Sequence, residues 1–389
     1  MSKTIKKKIC KFVLEPDGFS IHTFELSRQL TGHEYSHMKD YLYTIPKRDG
    51  GKQRVYKDDY GVIRCELFND HGIRVRLEKN ESKEERFVSY YLRMIVNPKR
   101  LIYPGGDCRD GYLGIFTPGE DSVRDMAKAF TKVFRNTKIP CHVDDYKISR
   151  LDLCVNIRSS RSKILRELVR VLRKLPTPSK YERKRYTSDD KKAANAYNKH
   201  YIRFACKSHD MVIYDKTYQI TTNNLAVAYE KLPEGVLRIE LHCKRDYLRS
   251  VEKEYGIDSS LELIRLLMAQ SEKRIIKNFS WWFYSGMFCQ IDEIERRILA
   301  SRFGDEKKAA MLELSWRMQR TQNLDKALKV MENAGADRAQ LLEGFQTLGI
   351  SPIPLRQDFT APCLPGIVEL LKGVAKGEVS VEYIKVKKQ

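Results

Sequence analysis

Three short runs limit how this chain can fold more than any other feature: 148–155 (Ile-Ser-Arg-Leu-Asp-Leu-Cys-Val), 211–216 (Met-Val-Ile-Tyr-Asp-Lys) and 236–242 (Val-Leu-Arg-Ile-Glu-Leu-His). Each largely alternates apolar with polar side chains, the period of a strand with one buried face. The first and third repeat the pattern Arg-apolar-acid-apolar, as Arg150-Leu151-Asp152-Leu153 and Arg238-Ile239-Glu240-Leu241. Residues two apart on a strand leave from the same face, so Arg150 falls with Asp152 and Arg238 with Glu240. If these two runs are sheet neighbours, two carboxylates and two guanidiniums share one surface, and the middle run adds Tyr214 and Lys216. Singly, an Arg and an acid so placed usually make a solvated ion pair worth about 1 kcal/mol or less. Together, two carboxylates, a phenol and a lysine are the groups that metal-assisted attack on a phosphodiester needs.

The charge balance points to a partner of the same kind. Lys and Arg number 72 against 51 Asp and Glu, a net charge of +21 over 389 residues. Such an excess argues for a polyanionic partner rather than for a fold. Ribosome-like and membrane-surface proteins share the balance, but the most apolar stretch, 279–288, is far too short to span a bilayer. The excess concentrates between Arg158 and Arg203, where fifteen Lys or Arg meet four Asp or Glu. Tyr181, Tyr186, Tyr197 and Tyr201 are interleaved there. Cations follow phosphates while aromatic rings stack on unpaired bases, a combination suited to single-stranded or opened DNA. Arg183, Lys184, Arg185, Lys199 and Arg203 are the expected contacts in this segment; a solvated basic loop is the plainer alternative. Nine cysteines, an odd number without a Cys-x-x-Cys, favour a reducing cytoplasm over a disulfide scaffold.

Taken in order, the chain reads as α+β: an antiparallel sheet with flanking helices, then a mainly helical C-terminal part. The expected organisation is an N-terminal α+β region for DNA recognition (1–135), a catalytic sheet (136–256) and a helical domain (257–389). Strands are expected at 9–14, 21–24 and 87–96, a helix at 26–43, and a hairpin at 53–67 around Asp58 to Gly61. A turn is expected at 47–51, a glycine-rich loop at 104–107 and an amphipathic helix at 123–134. Five helical stretches fill 259–334, and 324–349 has the outline of a helix-turn-helix. Trp281, Trp282 and Trp316 are expected to anchor the core of this part. His33-Glu34-Tyr35-Ser36-His37 matches the zinc-protease spacing, but no third ligand follows at the usual distance, and it is read as a surface helix.

At the three runs the chain resembles the filamentous-phage gene II/gene X replication proteins, which nick DNA to start rolling-circle replication. The matching residues are Ser149-Arg150-Leu151-Asp152, Tyr214-Asp215-Lys216, Arg238-Ile239-Glu240, then Lys244 and Tyr247-Leu248-Arg249-Ser250. Plasmid and integrative-element initiators of the Rep_trans type carry a similar Tyr-Asp-Lys and Arg-x-Glu arrangement. The resemblance is firmest over 90–250; a late Pro354-Leu355-Arg356-Gln357-Asp358-Phe359 also fits. It implies Tyr214 as the nucleophile, Lys216 lowering its pKa or neutralising phosphate oxygens, and a 5′-phosphotyrosine whose freed 3′-hydroxyl a host polymerase extends. It further implies origin DNA and a host helicase as partners, and Arg150, Arg238 and Lys244 on the DNA.

The metal follows from donor chemistry. Asp152 and Glu240 are hard oxygen ligands suited to Mg2+ or Mn2+. His242, two residues after Glu240 on the same strand face, is a candidate third ligand on geometry alone. No His-hydrophobic-His strand exists among the eight histidines. Tyr201, thirteen residues before Tyr214, is the rival nucleophile. A DNA-binding regulator without catalysis, or a metal-dependent nuclease using water, remain the alternatives.

Overall fold

In the computed structural model of the chain, the described residues are 7–45, 54–81, 87–104, 114–116, 118–159, 161–222, 235–280, 286–321, 323–377 and 379–386. The expected turn at 47–51, most of the glycine-rich loop, and Trp281 and Trp282 lie outside them.

The protein is α+β, built on one large antiparallel sheet. Its strands are β1 (Lys7–Leu30), β2 (Val55–Lys57), β3 (Ile63–Cys65), β4 (Ile73–Glu81), β5 (Val88–Val96), β6 (Lys147–Ser159), β7 (Glu182–Lys184), β8 (Tyr201–Ala205), β9 (His209–Asp215) and β10 (Gly235–Lys244). They run β2-β3-β4-β5-β1-β6-β10-β9-β8-β7 across the sheet. The two halves share one connectivity. Each starts with a long strand (β1 or β6) and a helix (Gly32–Thr44 or Ser162–Leu172), and its last strand then returns to pair with the first. The long strands pair with each other at the centre, so β1 carries β5 on one side and β6 on the other. Segments 1–135 and 136–256 thereby contribute strands to a single sheet.

Alternation decides the faces. Leu151, Leu153, Val155, Leu237, Ile239 and Leu241 are all fully buried. Helices Ser162–Leu172, Arg245–Tyr255, Ser260–Ala269 and Ser271–Ser280 contact these central strands. Gly235 permits one close approach: a Cβ there would meet Ser162 Cα and Leu165 Cδ1, each at 3.0 Å. The opposite face carries the polar members of the same strands.

Several expectations need correction. The helix expected over 26–43 begins only at Gly32, because Leu26 to Leu30 pair with β5 as strand. Thr31 and Glu34 then form a capping box that starts the helix. This engages Glu34 with the Thr31 backbone and hydroxyl at 2.7 and 2.9 Å, so it serves as a cap rather than a base. The strands expected at 9–14 and 21–24 are one strand, β1. Lys216 is not in a strand but opens the helix Lys216–Thr222. Trp316 is 49% exposed and donates to Glu295 instead of filling the core.

Helices occupy most of 257–377, and those of 324–349 are Leu324–Asn333 and Arg338–Thr347. A two-stranded ribbon joins β11 (Phe288–Cys289) to β12 (Cys363–Leu364), with Cys289 opposite Cys363. These two form a disulfide, one bridge where the cysteine pattern favoured a reducing compartment over a disulfide scaffold; Cys65, Cys141, Cys154, Cys206 and Cys243 are free. Strand β13 (Val379–Val386) pairs with the start of β1. No helix among the described residues is long and apolar enough to cross a membrane.

Candidate active site on the polar face of the sheet

Register brings the predicted residues together. Strand β10 lies between β6 and β9, with Arg238 opposite Asn156 on one side and Tyr214 on the other. Asp152 stands opposite His242, and Tyr214 stands opposite Tyr201 across β8. Residues directly opposite share a face, so Asp152, Tyr201, Tyr214, Arg238, Glu240 and His242 all sit on the polar side.

Glu240 is the hub. It is 4% exposed. Its Oε1 accepts from the Tyr214 hydroxyl at 2.9 Å and lies 2.9 Å from His22 Nδ1. Its Oε2 lies 2.7 Å from His242 Nε2, and the Arg238 guanidinium is 3.8 Å from Oε1. Burial alone would raise the Glu240 pKa, but the two imidazoles outweigh it and hold the carboxyl well below its usual range. Burial and the Arg238 charge lower His22 to about 4. His22 is therefore neutral near pH 7 and helps Glu240 through a hydrogen bond. Burial would lower the His242 imidazole, but the Asp152 and Glu240 carboxylates outweigh it and raise its pKa above the ordinary value.

Tyr214 is 4% exposed, and burial together with the Glu240 charge pushes its phenol well above the usual value. The resting hydroxyl is protonated and aimed at a carboxylate. Lys216, although in the next helix, folds back so that Nζ lies 5.7 Å from the Tyr214 ring centre and donates to Gln219 Oε1 at 2.8 Å. Burial and Arg238 lower this amine to about 7. Beside Tyr214 runs a series of rings: Tyr201 at 6.3 Å, Tyr197 at 5.5 Å from Tyr201, and Tyr186 at 4.5 Å from Tyr197.

Asp152 shares the face of Glu240 but not its partners. Its Oδ2 accepts from Thr23 at 2.5 Å and from Arg150 at 3.1 Å. The two carboxylates lie on paired strands as expected, yet each is tied to its own neighbours. Among the described residues, no three His, Cys, Asp or Glu side chains are already gathered as a metal-holding group. The donors present suit a hard or borderline divalent cation chemically. Asp152 Oδ1 makes no hydrogen bond but lies 3.0 Å from Arg150 Nε, so a cation there would have to displace that guanidinium. It would also have to replace the contact between Glu240 and His242.

The expected DNA contacts are spread more widely. Arg238 is fully buried, donating to Asn156 Oδ1 at 2.7 Å and to the Gly114 carbonyl, so it supports Glu240 rather than facing solvent. Lys244 and Arg203 both reach the buried Asp210, each at 2.5 Å. Arg183 donates to the Arg173 carbonyl and covers the Phe204 ring. Lys184 pairs with Glu182, and Lys184, Arg185 and Lys199 are exposed.

Sequence reasoning missed His22. A bulge in β1 between Ile21 and Thr23 shifts the register against β6, a break that alternation cannot reveal. His33 and His37 are exposed, with their Nε2 atoms 3.0 Å apart. No family model matches this chain, and no curated protein matches it.

Proposed function

We propose that this chain nicks and rejoins DNA as a rolling-circle replication initiator, with Tyr214 as the nucleophile. The observation that carries the reading is the Tyr214 hydroxyl hydrogen-bonded to the buried, charge-stabilised Glu240. The Arg-x-acid and Tyr-x-Lys resemblance and the net charge of +21 support it. Tyr214 Oη, oriented by its hydrogen bond to Glu240, attacks the scissile phosphorus and its proton passes to solvent. The bond to the 3′ oxygen breaks, and that oxygen leaves as a hydroxyl after protonation from solvent. The product is a 5′-phosphotyrosine and a 3′ end that a polymerase can extend; attack by a 3′-hydroxyl on the phosphotyrosine reverses it. Glu240, His242 and Asp152 would hold Mg2+ or Mn2+. That ion would polarise the scissile phosphate. Lys216 is the nearest amine for the non-bridging oxygens.

A supercoiled plasmid carrying the cognate origin tests the reading in magnesium. Nicked circles with protein covalently attached are expected. Binding alone would mark a regulator, and nicking without an adduct a nuclease using water.

Lys216 adds a pH signature. If its ammonium neutralises the phosphate, nicking falls as pH rises through about 7, where the amine loses its proton. Lys216→Arg, charged throughout, should remove that limb. An identical profile in both proteins would count against this role. The same depressed amine affects stability with a definite sign: the unfolded chain binds the proton more tightly, so this site favours folding more as pH rises above about 7.

A further inference from the structure

We infer that single-stranded nucleic acid runs from the Tyr214 site into a basic cleft at the end of the sheet, between the helix Ser162–Leu172 and the loop 354–361. This rests on the proposed function and names where the strand goes. The cleft has a volume of about 820 Å³ and is lined by Arg161, Lys163, Arg166, Arg173, Lys199 and Arg356, among others.

Its charge is not balanced from within: seven Lys or Arg line it against two carboxylates, Glu167 and Asp358, and Asp358 lies 3.8 Å from Arg356. Glu167 is fully buried, and Arg170 and Arg356 take its carboxylate at 2.7 and 3.0 Å. Those two cations are therefore used structurally, and they hold the loop against the helix. Among the described residues, no carboxylate pairs with Lys163, Arg166 or Lys199; Arg166 donates to Ser162 Oγ instead. Arg173 also lies near Arg183 and Arg185. Burial and this crowding of like charge lower the pKa of Arg173 and of Arg183. An anion in the cleft relieves that repulsion.

Position links the cleft to the chemistry. Lys199 and His200 lead directly into Tyr201. His200 stacks on Tyr218 at 3.7 Å and lies 3.4 Å from Asp215, the residue between Tyr214 and Lys216. The rings of Tyr186, Tyr197 and Tyr201 form a path to Tyr214 from a 46% exposed end. Phosphates follow the cations while unpaired bases stack on the rings. A duplex, whose bases are already stacked, gains nothing from that path.

The test uses the full chain and a fluorescent oligo(dT) of about 15 nucleotides, within the usual site sizes of such grooves. Lys163→Gln, Arg166→Gln and Lys199→Gln are combined; all three positions are exposed, and thermal melting checks the fold. Affinity should fall about tenfold or more, and the slope of log K against log salt should flatten by about 2 (roughly 0.7 per lost contact). Arg124→Gln with Lys128→Gln, exposed on the helix Glu120–Phe134 and lining a different cavity, should change neither. An unchanged slope in the triple variant overturns the inference, as does an equal loss on a duplex of the same length. If the cleft variant behaves as stated but no adduct forms on wild-type protein, the nicking mechanism fails and the cleft stands.

Discussion

Tyr214→Phe is expected to abolish both nicking and covalent attachment, a loss of at least about a thousandfold, because no other oxygen in the network replaces the nucleophile. The ring remains to fill its buried place on β9. What is lost structurally is one hydrogen bond to a charged group, about 1.5–3 kcal/mol, so the protein should still fold and bind DNA. Tyr201→Phe is the matched control. Its ring lies across the strand pair from Tyr214, while the Tyr214 hydroxyl is the one bonded to Glu240. That variant should keep most of its activity. Loss of the adduct in Tyr201→Phe with retention in Tyr214→Phe would move the nucleophile across the strand pair.

Glu240→Gln should be nearly as damaging and should also cost stability. The carboxylate is the buried counter-charge for Arg238 and lies 2.7 Å from His242, and removing one partner of a buried ion pair typically costs about 3–5 kcal/mol. Gln keeps the shape and one acceptor, so the loss should lie towards the lower end, with Glu240→Ala worse. Nicking should vanish in both, since the carboxylate that holds the Tyr214 hydroxyl and would bind the metal is gone. The pKa of His242 should also fall, as its raised value depends partly on Glu240. A Glu240→Gln protein with wild-type melting and full nicking in magnesium would contradict the hub assignment.

The central strands were legible because alternation holds over β6, β9 and β10, and a repeated Arg-x-acid pattern set two of them side by side. The same alternation could not reveal that the polar face is itself buried. Arg238 is therefore a support inside the protein, where an exposed DNA contact had been expected. His22 was hidden by the bulge in β1, since one extra residue breaks the period that identifies a face. Lys216 illustrates a second limit: the strand ends at Asp215, and the lysine reaches Tyr214 by folding back from a helix. The start of the helix at Gly32 was written in Thr31 and Glu34, but apolar residues just upstream suited a strand as well as a helix. Cys289 and Cys363 are 74 residues apart, and only the tertiary fold brings them together.

The central claim is chemical: a covalent bond between Tyr214 and a 5′ phosphate. Peptide mapping by mass spectrometry, after reaction with a single-stranded origin oligonucleotide and exhaustive protease and nuclease digestion, tests it most directly. The peptide containing Tyr214 should carry the mass of a 5′-phosphorylated nucleotide, with fragmentation placing it on that tyrosine. Cleaved oligonucleotide with every tyrosine unmodified, or with the nucleotide on Tyr201, would contradict the account.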